Sequence, residues 1–320
     1  EMLQRFSDAQ AFDRNQRWLA KEDMRFAFEA GQQWDKWMLG TRKGRPNYEF
    51  NRVRQSIRQV LGDQLQNRPS LKVRAADNGD KEIAEIRQGL LKSIERQSHA
   101  EQAYDHAFMY ALGGGMGFWP IETAYADDMS FDQDIFIREV RNPYSVWFDP
   151  SATSFDRRDA LYAFVEDRVS RQEFAARWPK AQIVDFSGDN QGDALWWYQN
   201  EVRICEYWYK VPEKRTIFQL SDGRVVEEKD YAPVADELQE QGITIVDQRE
   251  TEVMAVKQCL VSGNEVLEGP HDWPGKFIPL VVVWGDLLNI DGVDLYSGMT
   301  RFAKDAQRVH NFMNSTAMEI

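Results

Sequence analysis

The chain has 320 residues, of which 42 % are hydrophobic and 28 % charged, the balance of a folded globular protein. Its net charge of −13 and pI of about 4.9 repel phosphate on average, which disfavours a tight nucleic-acid binder but not a protein that DNA passes without sticking. Two cysteines, Cys205 and Cys259, are too few for a disulfide framework or a thiolate metal site.

Mean hydropathy is −0.60, and the longest apolar run, residues 278–284, falls far short of a membrane span. The opening six residues are amphipathic and charged and do not read as a signal peptide. Residues 1–30 read as one or two helices, with Leu3, Phe6, Ala9, Trp18, Leu19, Met24, Ala27 and Phe28 on the apolar side. Gly31 breaks them and a basic loop follows over 42–46. Asn51 reads as the N-cap of a helix with Val53, Ile57, Val60, Leu61 and Leu65 on one face, and Arg52, Arg54 and Arg58 on the other. Asn67-Arg68-Pro69 ends it, and 71–75 alternates as a short strand. Asp80 opens a third helix, with Ile83, Ile86, Leu90 and Ile94 expected to face inward. A fourth carries Ala103, Tyr104, Ala107, Phe108 and Ala111 and stops at Gly113-Gly114-Gly115.

Strands are expected over 118–125, 135–140 and 161–167, with a turn at Asn142-Pro143. Ser170 and Glu173 form a capping box for a short helix ending at Trp178-Pro179. A polar loop over 186–192 is a candidate boundary. Strands follow over 201–211 and 216–220, with a hairpin turn at 221–224 leading into Val225-Val226. Residues 229–241 read as a short acidic helix with Val234 and Leu238 inward, and 243–246, 252–261 and 265–267 as strands. An apolar run over 278–284, a polar connector over 286–297 and a helix from Gly298 close the sequence. On that helix Met299, Phe302, Ala303, Ala306, Val309, Met313 and Ala317 make one apolar stripe, and Arg301, Lys304 and Arg308 make a basic one. It carries no stop signal, so the protein is expected to continue beyond it.

The candidate chemistry is thin. Gly113-Gly114-Gly115-Met116-Gly117 follows a helix and precedes a strand, the reverse of a phosphate loop, and reads as a helix C-cap. His99, His106, His271 and His310 lack partners at metal-ligand spacing, and no nucleophile motif is present. Acidic pairs such as Asp127-Asp128 and Glu227-Glu228 read as solvated loops. No metal and no cofactor is expected. Eleven tryptophans suit both cores and interfaces.

In sequence order several landmarks resemble one family. They are Gln33-Trp34-Asp35; the helix from Arg52-Val53-Arg54 to Gln66-Asn67-Arg68-Pro69; and Gly115-Met116-Gly117-Phe118-Trp119. Then come Trp147-Phe148-Asp149-Pro150-Ser151 with Asp159-Ala160, Glu206-Tyr207-Trp208-Tyr209, and Ile278-Pro279-Leu280-Val281. Last is Lys304-Asp305-Ala306-Gln307-Arg308 with Asn311 and Ser315. Together they resemble the N-terminal portion of the portal protein of short-tailed bacteriophages of the Salmonella-podovirus type. Trp284-Gly285-Asp286 departs slightly, since Glu is common after that Gly.

The resemblance implies an α+β portal-like fold, with a helical wing and mixed strands, and two stem helices flanking a small β-rich clip. By position the wing is 1–228, the first stem helix 229–242, the clip 243–284 and the truncated second stem 285–320, with the crown absent. It implies a structural, non-enzymatic subunit of a dodecameric ring at one capsid vertex, a head-tail connector assembled in the host cytoplasm and kept in the virion. Double-stranded DNA would pass through it non-specifically during packaging and ejection. Its partners would be the terminase large subunit, a tail adaptor, and the major capsid and scaffolding proteins, with no membrane. Arg301, Lys304 and Arg308 are then candidates for facing the DNA channel, and Lys257, Asn264, Glu265 and Glu268 for docking terminase or adaptor. The alternatives are a nucleic-acid-processing enzyme, or a tail adaptor or scaffold protein, with functional residues outside this segment.

Overall fold

The computed structural model describes residues 1–68, 70–75, 81–182, 197–198 and 200–319. The helix stop at Pro69, the helix start at Asp80 and the polar loop over 186–192 lie outside them. The first elements are α1 (Met2–Phe28), α2 (Lys36–Thr41), α3 (Arg52–Gln66), α4 (Lys81–Gln97), α5 (Ala100–Gly114), β1 (Met116–Tyr125), β2 (Gln133–Ile137) and β3 (Val146–Phe148). Next are β4 (Tyr162–Ser170), α6 (Arg171–Arg177), β5 (Trp197–Tyr198), β6 (Glu201–Leu220), β7 (Val225–Glu227), α7 (Glu228–Tyr231), α8 (Ala235–Glu240), β8 (Ile245–Val261) and β9 (Val266–Trp273). Then β10 (Leu280–Trp284), β11 (Asp286–Ile290), β12 (Val293–Ser297) and α9 (Met299–Ala317) complete an α+β fold with antiparallel sheets. They form two compact units, Glu1–Arg157 with Pro279–Ile320, and Arg158–Ile278.

In the first unit α5 packs against α1, α3, α4 and α9. Phe26, Ala27, Val53 and Ile57 form one core cluster with Phe28, Leu112 and Ala303 against it. The glycine run is a C-cap, as its order implied: Gly115 has φ 104° and donates to the carbonyls of Tyr110 and Ala111. The chain turns at once into β1, which pairs antiparallel with β10 and then with β2. A Cβ on Gly117 would lie 2.0 Å from the carbonyl oxygen of Ala107, so strand and helix backbones approach more closely than any other residue allows.

Three expectations fail here for related reasons. Residues 71–75 do not pair as a strand; the Gln88 side chain of α4 bonds the amide of Val73 at 2.6 Å and the carbonyl of Leu71 at 2.8 Å instead. The α4 residues Ile83, Ile86 and Leu90 are exposed, and Ala84 is its buried residue. The connector over 286–297 is a β-hairpin, β11 with β12, not a loop. Its polar residues alternate with Leu288, Ile290 and Val293, a period of two that loop-like composition concealed.

In the second unit β6 is central, pairing with β4 over one half and β8 along most of its length, and β9 follows β8. The sequence suggested a break near Pro212, yet β6 runs through it unbroken. The amide of Lys210 donates to the carbonyl of Leu161 on the β4 side. Pro212, two residues on, faces that same side after β4 has ended, so its missing N–H costs no ladder bond. β8 is likewise one strand through the polar stretch 247–251, held by residue-by-residue pairing with β6. The helix expected over 229–241 is broken into α7, a 3-10 turn at Ala232–Val234 containing Pro233, and α8. Tyr231 and Leu238 pack on Phe218 and Leu220; Val234 is exposed. Ser170 caps α6 by accepting from the Glu173 amide at 3.2 Å.

Candidate functional site

The closing helix α9 carries Arg301, Lys304 and Arg308, the candidates for facing a channel, and it sits the other way round from its hydrophobic pattern. Its buried side chains are Thr300, Lys304, Gln307, Asn311 and Ser315. Phe302, at 78 % exposed, and Met299, Val309 and Met313 face outward. The sequence pattern implied the opposite.

The reason lies in the extended segment before α3. The amides of Tyr48, Phe50 and Arg52 donate to Ser315 Oγ, Asn311 Oδ1 and Gln307 Oε1 at 3.0, 2.9 and 3.0 Å. Gln307 Nε2 returns a bond to the carbonyl of Phe50 at 2.9 Å, and Ser315 Oγ one to that of Tyr48. Four helical residues rise about 6 Å and two extended residues about 6.6 Å, so a polar stripe at this spacing serves as a surrogate strand edge. Asn311 Nδ2 also donates to Gln33 Oε1 at 2.7 Å, inside the core. Orphaned backbone amides would each cost about 1–3 kcal/mol, which outweighs hiding a few methyl groups.

The basic stripe faces α1. Asp23, fully buried, receives Arg301 Nε at 2.7 Å on one oxygen and Lys304 Nζ at 2.7 Å on the other. Lys304 also reaches Glu22 at 3.4 Å, and Arg308 pairs with Asp35 at 2.9 Å and Asp305 at 3.2 Å. Within this unit the three cations clamp α9 to α1 and to the segment before α2. Periodicity showed the stripe, and Asp305 lies within one turn of Arg308; the partners Glu22, Asp23 and Asp35, some 280 residues away, had no local signal.

The second group lies in the other unit. Asn264, Glu265 and Glu268 gather at the β8–β9 turn. Asn264 Oδ1 accepts from Ser262 Oγ at 3.1 Å, Glu265 Oε1 from the Gln182 amide at 2.6 Å, and Glu268 Oε1 from Trp178 Nε1 at 2.8 Å. Lys257 stands apart from them, between Glu213 at 2.9 Å and Asp272 at 3.0 Å. Those hydrogen bonds, to Glu213 first, hold its ammonium well above the usual lysine range.

Among the described residues the titratable groups Arg17, Tyr296 and His106 are held in local contacts. The cavity lined by Asp13, Arg17, Asp149, Arg157, Asp294 and Tyr296 holds about 50 Å³, room for a few waters. Arg17 lies over the Trp147 ring at 3.7 Å, and Tyr296 donates to Asp13 at 3.0 Å, so its polar groups are structural. His106 sits 3.3 Å from Glu139, and burial pulls its pKa down against that carboxylate. Burial raises the Cys205 thiol well above its ordinary value, which leaves it protonated and unreactive. Among the described residues no group of His, Cys, Asp and Glu could hold a metal ion. No described helix is long and apolar enough to cross a membrane.

Comparison with known proteins gives a family match along nearly the whole chain. The model of the phage P22-like portal protein family matches residues 3–320. A portal protein of Acyrthosiphon pisum secondary endosymbiont phage 1 is 28 % identical over 332 residues, an alignment covering 98 % of this chain and 46 % of that protein. The chain thus spans about half the length of that relative.

Proposed function

This chain belongs to the phage P22-like portal protein family, and from that premise we propose that it is part of a structural, non-enzymatic subunit of a dodecameric portal ring. The ring sits at one capsid vertex of the virion, assembles in the host cytoplasm, and is the channel for DNA packaging and ejection. The observation that carries the reading is α9: its polar face is satisfied inside the subunit while Met299, Phe302, Val309 and Met313 are left outward. A contiguous apolar stripe on an acidic protein marks a surface that another chain covers. Copies of this segment, at −13 each, repel a duplex whose phosphates come about every 1.7 Å, so DNA slides and is not gripped.

In this reading 1–228 is wing, 229–242 and 285–320 are stem, and 243–284 is clip. The β8–β9 turn with Asn264, Glu265 and Glu268, together with Lys257, docks the terminase large subunit and later a tail adaptor. The major capsid and scaffolding proteins surround the ring. Contact of Arg301, Lys304 and Arg308 with DNA requires their carboxylate pairs to open on assembly. Native mass spectrometry of the full-length protein, with symmetry in electron-microscope class averages, tests the ring. A protein that stays solitary under all conditions refutes it.

A further inference from the structure

The tip of the β1–β2 hairpin is the most exposed apolar feature of the first unit: Met129 is 93 % and Phe131 97 % exposed. The tip is nevertheless built. Asp127 Oδ1 accepts from the Met129 amide at 2.6 Å, Ser130 Oγ from the Asp132 amide at 3.0 Å, and the Ala126 amide closes the loop on the carbonyl of Asp132. Residues 126–132 carry Asp127, Asp128 and Asp132 and no cation.

Elsewhere on the same unit α3 and α9 enclose an open apolar groove of about 260 Å³, with Val53, Met299, Ala303 and Ala306 in its walls and Arg52 and His310 beside them. Its α3 wall is formed by Arg52, Val53 and Ser56, so one arginine and no carboxylate stands among the lining residues. An acidic tip with two bare apolar side chains suits an apolar groove whose lining carries an arginine and no carboxylate.

One copy does not satisfy itself. The tip lies at the end of β1, whereas α9 begins beside Gly115 at the start of that strand. Ten extended residues separate them, about 33 Å. We propose that the Met129–Phe131 tip of one copy docks in the α3–α9 groove of the next. Such a head-to-tail contact uses two different surfaces, the kind that closes into rings. This inference rests on the ring reading and specifies one of its interfaces.

The test uses the full-length protein and native mass spectrometry, with melting temperature as the check on folding. The tip variant is Met129→Ser with Phe131→Ser; the groove variant is Ala306→Glu. All three substitutions are at exposed positions. Each variant alone is expected to melt like the unaltered protein and to lose rings at concentrations where that protein assembles. Mixed in equal amounts they are expected to give heterodimers and nothing larger, because one intact tip meets one intact groove and both other ends are blocked. Rings from the tip variant, or a mixture that stays monomeric, overturn this interface while the ring reading stands. An unaltered protein that never assembles overturns the ring reading itself. Rings lost from the groove variant but kept by the tip variant overturn the tip as the occupant.

Discussion

Replacing Asp23 with Asn tests whether the basic stripe of α9 is a clamp. Asp23 is fully buried and takes Arg301 and Lys304 on separate oxygens, both at 2.7 Å. Losing one partner of a buried ion pair costs about 3–5 kcal/mol, because the remaining charge is left uncompensated. Lys304 keeps Glu22 at 3.4 Å, and the Arg301 side chain is 19 % exposed, so some relief is available and the lower end applies, about 3 kcal/mol. In a domain of roughly 200 residues that is a fall of about 6–12 °C in Tm. Thermal and urea unfolding followed by circular dichroism measure it. Asp23→Leu with Arg301→Leu and Lys304→Met removes the whole cluster and is expected to recover most of the loss. A change below about 1 kcal/mol for Asp23→Asn would mean that these contacts do not hold α9 to α1.

Other outcomes follow from the same geometry. Asn311→Leu strands the Phe50 amide and the Gln33 and Gln307 side chains, at roughly 2–4 kcal/mol in urea unfolding. Gly117→Ala puts a methyl 2.0 Å from the Ala107 carbonyl oxygen, so soluble expression is expected to drop sharply, whereas Gly223→Ala, with open space around it, is expected to cost only its backbone strain at φ 86°. His106 has a folded pKa below its ordinary 6.5. The unfolded chain therefore binds the proton first, and stability falls as pH drops from 6.5 toward the lower folded value; His106→Gln should flatten that part of the pH–stability curve. Neutralising Arg301, Lys304 and Arg308 together is expected to lower Tm before any effect on DNA packaging is measured; unchanged Tm with slowed packaging would instead favour direct DNA contact.

Much of the local structure is legible in the residues. Asn51 and Ser170 cap helices where their side-chain chemistry says they should. Gly115 ends α5 at positive φ, and Gly223 turns the β6–β7 hairpin. Pro212 and the polar stretch 247–251 misled, because strand pairing with a partner far along the chain overrides a local breaker. The same holds for 286–297, where turn-like composition masks alternation.

Sequence order and residue type alone were enough for the α+β class, the helix from residue 299 onward, and the family. They could not say which side of that helix is inside. Three backbone amides near residue 50 have no strand to bond, and a fully buried carboxylate on α1 needs cations. Gln307, Asn311, Ser315, Arg301 and Lys304 meet those demands, so the helix turns its polar side inward and its methionines and Phe302 out. Hydrophobic periodicity records only how apolar groups are spaced along one element; the polar groups that element must satisfy are set by segments more than 250 residues away, and folding alone brings them together.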